Sequence, residues 1–237
     1  MQDIPQEDLH ALHINVLAWA AYCEGDETVA TGNAIQPAPP LPAALRRRIT
    51  PIGRKALEAA WAVLAGRPGM EPRIILSSRH GEYDRTLGLL DSLADSGEVS
   101  PAEFSLAVHH GLAGLLSIAT GNRQGHTAVS AGVDSFAAAL TEAAACLTEG
   151  DASVLVMHFD SALPRDYEQV GGGTEPGLAL ALLLTPAGGE SIVMRQRPTA
   201  KPGEECAAAA LINLLRSNAD EARAAGGRMV WSFSRAA

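Results

Sequence analysis

His126-Thr127-Ala128-Val129-Ser130-Ala131-Gly132 is the stretch from which the fold can be read. Thr127 to Ala131 are small or β-branched, which suits a buried strand. From Val133 onward the period changes. Val133, Phe136, Ala137, Leu140, Ala144 and Leu147 fall at helical spacing on one face, with Asp134, Thr141 and Glu142 off it. The spacing predicts a helix over 133–147, apolar or small nearly all round and therefore the most buried element. Gly150 ends it, as a glycine after a helix should. Ser153-Val154-Leu155-Val156-Met157-His158-Phe159 then reads as a strand buried on both faces. Strand, helix and strand at this spacing make a βαβ unit with parallel strands. The turn at Ala131 and Gly132 aims backbone N–H groups and the positive helix end at whatever precedes it. Enzymes put a nucleophile at such a place. This chain puts Val129 and Ser130 there.

Apolar periodicity continues on both sides. Residues 14–22 suit a first strand, and 24–44, with four prolines between Pro37 and Pro42, suit a loop. Residues 51–66 carry a helix, 73–78 a strand, and 83–93 a further helix. Ser100-Pro101-Ala102-Glu103 is a helix start, with proline first and glutamate in the capping-box place. That helix is predicted to run through Phe104, Val108 and Leu112 to Gly121. Downstream, 177–184 and 192–195 suit strands, 204–225 a long helix and 229–233 a final strand. Gly171-Gly172-Gly173 leads into a strand, so it does not read as a phosphate cradle. The residues 1–237 read as a single α/β domain, a mostly parallel sheet with helices on both faces.

Composition narrows the function. The hydrophobic fraction is 47% with only 4% aromatics, so the core is built of Ala, Leu and Val. A net charge of −9 argues against a nucleic-acid groove. The apolar run 14–22 is too short to span a bilayer, and the first residues carry Asp3, Glu7 and Asp8 with no basic region. The three cysteines, Cys23, Cys146 and Cys206, lie far apart without metal spacing. They read as reduced thiols of a cytoplasmic protein. His109 and His110 are adjacent, so on a helix they would diverge by about 100° and could not chelate one ion. His80 and Glu82 read as a solvated pair at a strand end. No residue set points to a metal or a cofactor. Arg46-Arg47-Arg48 reads as a solvated face, or more sharply as a contact for an acidic carrier or a phosphate.

Thr127-Ala128-Val129-Ser130-Ala131-Gly132, the Ala-rich helix, and then Gly150-Asp151-Ala152-Ser153-Val154 resemble the nucleophile region of the β-ketoacyl synthases, the thiolase-fold condensing enzymes. Pro101, Phe104, Val108-His109-His110, Ala113-Gly114 and Ser117-Ile118 resemble the helix that these enzymes place before the nucleophile strand. The resemblance runs over most of 50–185 in family order. It implies half of a thiolase-like fold. Val129 then stands where the family's nucleophilic cysteine would be, and a valine has neither lone pair nor acidic proton. The family's second half, with its two catalytic histidines, has no counterpart after Leu184.

A shortened ketosynthase-like group resembles the chain further, through Ser130-Ala131-Gly132 and Asp134-Ser135-Phe136. That resemblance implies a chain-length-factor-like role in aryl polyene or related polyketide and fatty-acid pathways. The subunit would be catalytically silent, pair with an active ketosynthase and shape the tunnel for the growing chain. Interface and tunnel residues would be Thr127, Ala128, Val129, Ser130, Phe104, Val108 and Leu112. Partners would be the active ketosynthase subunit, or a second copy of the chain. Acyl carrier protein, acidic in this family, would be engaged only indirectly. Two alternatives stand beside this. One is a serine acyl hydrolase or acyltransferase using Ser130 or Ser135, although Ala128 occupies the first glycine place of a nucleophile elbow and His158 is the only clear later histidine. The other is a stand-alone acyl-carrier-binding module.

Overall fold

The computed structural model describes residues 11–26, 30–33, 40–46, 49–164, 167 and 176–236. Among them runs one mixed sheet of β1 (Leu12–Cys23), β2 (Ala30–Gly32), β3 (Arg73–Ser77), β4 (His126–Val129), β5 (Val154–Asp160), β6 (Leu178–Thr185), β7 (Glu190–Pro198), β8 (Glu221–Ala225) and β9 (Met229–Arg235). The strand order is β4-β3-β5-β6-β1-β7-β9-β8, with β2 paired to β1. The α/β class predicted from sequence holds, with helices on both faces.

The mostly parallel sheet expected from sequence does not hold for the whole sheet. Only β3 makes parallel pairs, with β4 and with β5. The remaining neighbours pair antiparallel. β3 lies between β4 and β5, so the predicted βαβ unit steps over one strand. β6 and β7 lie on opposite sides of β1 and run the same way, joined only by residues 186–189. The chain passes across β1 beside the register shift between Val16 and Ala18. Gly188 and Gly189 make that passage with φ of 88° and 78°, and a Cβ on Gly189 would overlap the carbonyl oxygen of Val16.

The sheet is buried on both faces at its centre because successive side chains alternate. Val154 and Val156 of β5, with Leu178, Leu180, Leu182 and Leu184 of β6, enter one core. Leu155, Met157 and Phe159, with Ala179, Ala181 and Leu183, enter the other. The first core is covered by α6 (Ser135–Thr148) and α7 (Ala207–Arg216). The second is covered by α2 (Pro51–Leu64) and α5 (Gly111–Thr120). The remaining helices are α1 (Ala43–Arg46), α3 (Tyr83–Ser96) and α4 (Pro101–Leu106). α2 begins where Thr50 caps it, its Oγ1 accepting from the Gly53 N–H at 3.1 Å, with Pro51 in the first turn.

Three sequence expectations are corrected. The helix expected over 133–147 is α6, but β5 and β6 are the most buried elements. α6 buries Ser135, Phe136, Ala137, Ala139, Leu140 and Ala143, while Thr141, Ala145 and Thr148 face out. The helix expected from 101 to 121 is two, broken between Leu106 and Gly111. A Cβ at Gly111 would stand 3.1 Å from the Leu106 carbonyl oxygen, so the chain folds back closely there. The long helix expected over 204–225 stops at Arg216. Glu221 to Ala225 have helix-forming side chains, yet β9 and the Gly226-Gly227 turn recruit them as an antiparallel edge. Arg47, Arg48 and Gly171 to Gly173 lie outside the described residues.

Candidate functional site

The carboxyl ends of β3, β4 and β5 meet the start of α6, where open α/β sheets place ligands. Val129 is half-buried at the end of β4 and packs on the first core. After it the chain turns at Gly132, whose φ is 62°. Ser135 locks this turn. Its Oγ accepts from the Ala131 N–H at 2.9 Å and donates to the Gly132 carbonyl at 2.6 Å. An N–H that could have faced a reacting oxygen is therefore bound within the chain. Ser130 donates a long hydrogen bond, 3.4 Å, to the Arg79 carbonyl. Asp134, next along, accepts from the indole N–H of Trp231.

The histidine that a serine nucleophile would need is engaged elsewhere. His158 Nδ1 is 2.8 Å from Ser77 Oγ, and both residues are buried. Its other ring nitrogen, Nε2, is 3.5 Å from Asp160 Oδ2, and its ring lies 5.3 Å from Phe136. Burial lowers the His158 pKa below the ordinary imidazole value, against the opposing pull of Asp160. This set has the members of a catalytic triad, but Ser77 has no exposed surface. Ser135, the other serine considered, serves the turn.

Asp160 organises the loop after β3. Its carboxylate accepts from Ser78 Oγ at 2.7 Å and from the N–H groups of Arg79 and His80 at 2.9 and 3.1 Å. The Gly81 N–H donates to Ser78 Oγ at 2.6 Å, at a φ of 64°. Arg79 and His80 are thereby held at the mouth of a pocket of about 520 Å³, open solvent included. Val133 and Leu178 are among its apolar lining, and Arg79 closes one side through a 2.6 Å ion pair with Glu204. Sequence reading missed this network. Its one signal was an acid and a histidine two residues apart on β5, facing the same way.

The other predicted site residues separate into two groups. Thr127, Ala128, Val129 and Ser130 lie at or just after β4, an edge strand of the sheet. Phe104 and Val108 are 62% and 37% exposed. Leu112 is instead buried in the chain's own second core, so that expectation fails: its side chain supports α5 from within. Glu82 is not the solvated partner of His80 either. It is 3% exposed, its Oε1 accepting from Thr50 Oγ1 at 2.9 Å. Burial raises the Glu82 pKa, against Thr50 and the nearby Arg85. Burial likewise pushes the thiols of Cys23 and Cys146 up, away from thiolate chemistry. Among the described residues no three His, Cys, Asp or Glu side chains gather as a metal site, and no helix is long and apolar enough to cross a membrane.

The sheet edge that leads through a glycine turn into a core-facing helix, with helical layers on both faces, belongs to a fold that superposes on solved ketosynthase structures. The chain belongs to the β-ketoacyl synthases: the model of their N-terminal domain matches residues 19–234. A chain in the complex of the ketosynthase ApeO with its chain length factor ApeC from Xenorhabdus doucetiae superposes with a TM-score of 0.78 at 25% identity. That match covers 94% of this chain and 100% of the other. The ishigamide ketosynthase/chain length factor gives 0.57 at 15%, covering 86% and 73%. A type II PKS acyl-carrier protein in complex with its ketosynthase gives 0.61 at 12%, covering 82% and 71%. The latter two are likenesses of fold. A comparison with curated protein sequences finds no match.

Proposed function

We infer that the chain is a catalytically silent, chain-length-factor-like subunit. It pairs with an active β-ketoacyl synthase and shapes the tunnel for a growing acyl or polyene chain, in aryl polyene or related polyketide or fatty-acid synthesis. The observation that carries the reading is β4, an edge strand with no described neighbour on its outer side, ending in Val129, which the resemblance to the ketosynthases sets at the nucleophile position. The turn beside it has its Ala131 N–H already bonded, and His158 is committed to Ser77. The similarity to a ketosynthase and chain length factor complex supports the same role.

The two ends of the sheet differ in a way that favours pairing through β4. At the far end, β8 carries Glu221 and Arg223, and the Ala225 N–H and carbonyl are taken by the carboxylate and N–H of Glu205 at 2.6 and 3.0 Å. That edge is blunted by charge and covered. β4 has neither device. On the helices, α3 and α4 bury no residue, and Leu90, Leu93, Val99, Phe104 and Ile118 are 42–82% exposed on α3, α4, α5 and their link. So many large apolar side chains left exposed favour cover by another chain. Acyl carrier protein would reach the complex chiefly through the active subunit, since this chain is acidic.

Co-expression with a full-length ketosynthase tests the reading. The expected result is a co-purifying complex that condenses acyl and malonyl thioesters, with product length altered by bulky substitutions along β4. If no complex forms with ketosynthases encoded beside it, and none of their products changes in its presence, the reading fails.

A further inference from the structure

The helix layer formed by α2 and α5 covers β1, β6, β5 and β3 but stops short of β7, β9 and β8. On that side, which no described helix covers, the register aligns Val193 with Ser234 and Glu221, Arg195 with Ser232 and Arg223, and Arg197 with Val230 and Ala225. Paired residues point to the same side of a sheet. Three arginines and one glutamate thus share this side, in a chain whose net charge is −9. Arg195, Arg197, Glu221 and Arg223 are all exposed.

The charges are close enough to sense one another. Glu221 is held by two parallel bonds from Arg223, 2.9 and 3.0 Å long. Its pKa is lowered first by that bond and then by Arg223, Arg195 and Arg197 as charges. One carboxylate therefore answers three guanidinium groups. Arg195 donates to Ser234 Oγ at 3.2 Å, and Arg195 and Arg197 have no carboxylate at ion-pair distance among the described residues. Along β7 the two are about 7 Å apart, and Arg223 lies about 10 Å from Arg195 across two strand spacings.

We propose that the open β7–β9–β8 face docks an acidic helix of a partner protein, laid beside α2 so that it extends the helix layer. A helix suits the site because helices already cover the same side of this sheet. Carboxylates four residues apart on a helix stand about 6 Å apart, close to the Arg195–Arg197 spacing. The exposed side chains there are arginines and a glutamate, with Val193 buried and Val230 and Ala225 half-buried between them, which asks for a charged helix and not a greasy one. A long polyphosphate would overrun the patch onto the acidic remainder of the surface within about one Debye length. The footprint is a few hundred Å² and fits a transient, salt-sensitive contact. This surface is separate from the β4 edge and stands or falls without it.

The test uses a fluorescein-labelled, helix-forming peptide with glutamates at every fourth position, titrated with the full chain at low salt. Binding is expected to weaken steeply with salt. Arg195→Glu with Arg197→Glu is expected to raise Kd more than tenfold, and Arg195→Gln with Arg197→Gln to raise it less. Arg54→Glu, on the exposed side of α2, is expected to leave it unchanged. Four results overturn the proposal: no binding at low salt, equal loss in Arg54→Glu, tighter binding of an oligothymidylate than of the peptide, or self-association of the chain that the β7 variants abolish.

Discussion

The indole N–H of Trp231, on β9, donates to Oδ1 of Asp134 across 2.7 Å, at the residue from which α6 starts. The bond ties the C-terminal strands to the turn that follows Val129. Gly226 closes over the same carboxylate, with no room for a Cβ. Trp231→Phe keeps most of the ring's contacts and removes the donor. The expected cost is about 1–2 kcal/mol, because a half-buried carboxylate loses its partner. Urea unfolding measures it, with far-UV circular dichroism unchanged in the folded state.

The buried His158 makes stability fall in acid. Its pKa is lower in the folded chain than the 6.5 of a free imidazole. The unfolded chain therefore binds the proton more readily, and the contribution present above pH 6.5 is lost as pH falls toward the folded pKa. His158→Leu with Ser77→Ala, which removes both polar partners together, is expected to flatten the urea midpoint between pH 7 and 5 relative to its own neutral value. An unchanged slope would remove His158 from the acid response.

Glu82 acts in the opposite sense. Burial raises its pKa, so the folded chain holds the proton more tightly than the unfolded one. The associated stability is complete below the ordinary glutamate value and declines as pH rises through the folded pKa. Ionised Glu82 is thus a cost at neutral pH, although Thr50 and Arg85 reduce it. Glu82→Gln keeps the shape and is expected to leave the chain as stable or more stable at pH 7, with no gain at pH 4. A clear loss at pH 7 would mean that the Arg85 pairing outweighs desolvation.

Much of the fold was legible because period and punctuation agreed. Val154 to Phe159 and Leu178 to Leu184 are unbroken apolar runs of strand length, and α6 shows its period directly. Direction was not legible, since a strand buried on both faces has the same composition in a parallel or antiparallel sheet. The passage of β6 to β7 across β1 depends on Gly188 and Gly189, and a glycine pair between two strands carries no sign of the strand it crosses. Glu221 to Ala225 carries helical propensity that pairing with β9 overrides. At the site, the valine at 129 was read from the family's pattern. The Ser77–His158 bond joins residues 81 apart and leaves no local trace.

Restoring a thiol should not restore catalysis. Val129→Cys places sulfur at the position proposed for the family's nucleophile, but His158 is held by Ser77 and the Ala131 N–H by Ser135. No base is freed to take the thiol proton and no donor is freed for an oxyanion. The isolated variant is expected to consume no malonyl thioester above the wild-type background in a radiolabel assay. Measurable condensation would show that the missing nucleophile was the only barrier.

Ala128 offers the sharpest test of the assembly. It pairs in register with Leu76 on β3, so its side chain points to the α5 side of the sheet, where it is exposed. On that side His126 stacks on His110 at 5.7 Å, linking β4 to the start of α5. The outer edge of β4 offers backbone N–H and carbonyl groups to another strand, and Phe104 on α4 and Ile118 on α5 add exposed apolar area. A stable subunit interface needs on the order of 2,000 Å² in total. An arginine at 128 has free space in the isolated chain and leaves its core intact. In an assembly built on β4 it becomes a buried charge without a partner, costing about 3 kcal/mol or more of association. That is more than a hundredfold in Kd. Size-exclusion of wild type and Ala128→Arg, each with and without the co-expressed ketosynthase, gives the reading. Loss of the complex at unchanged thermal stability assigns the interface to β4. An intact complex carrying a folded Ala128→Arg chain would place the interface elsewhere and remove the mechanical basis for tunnel shaping by Val129 and Ser130.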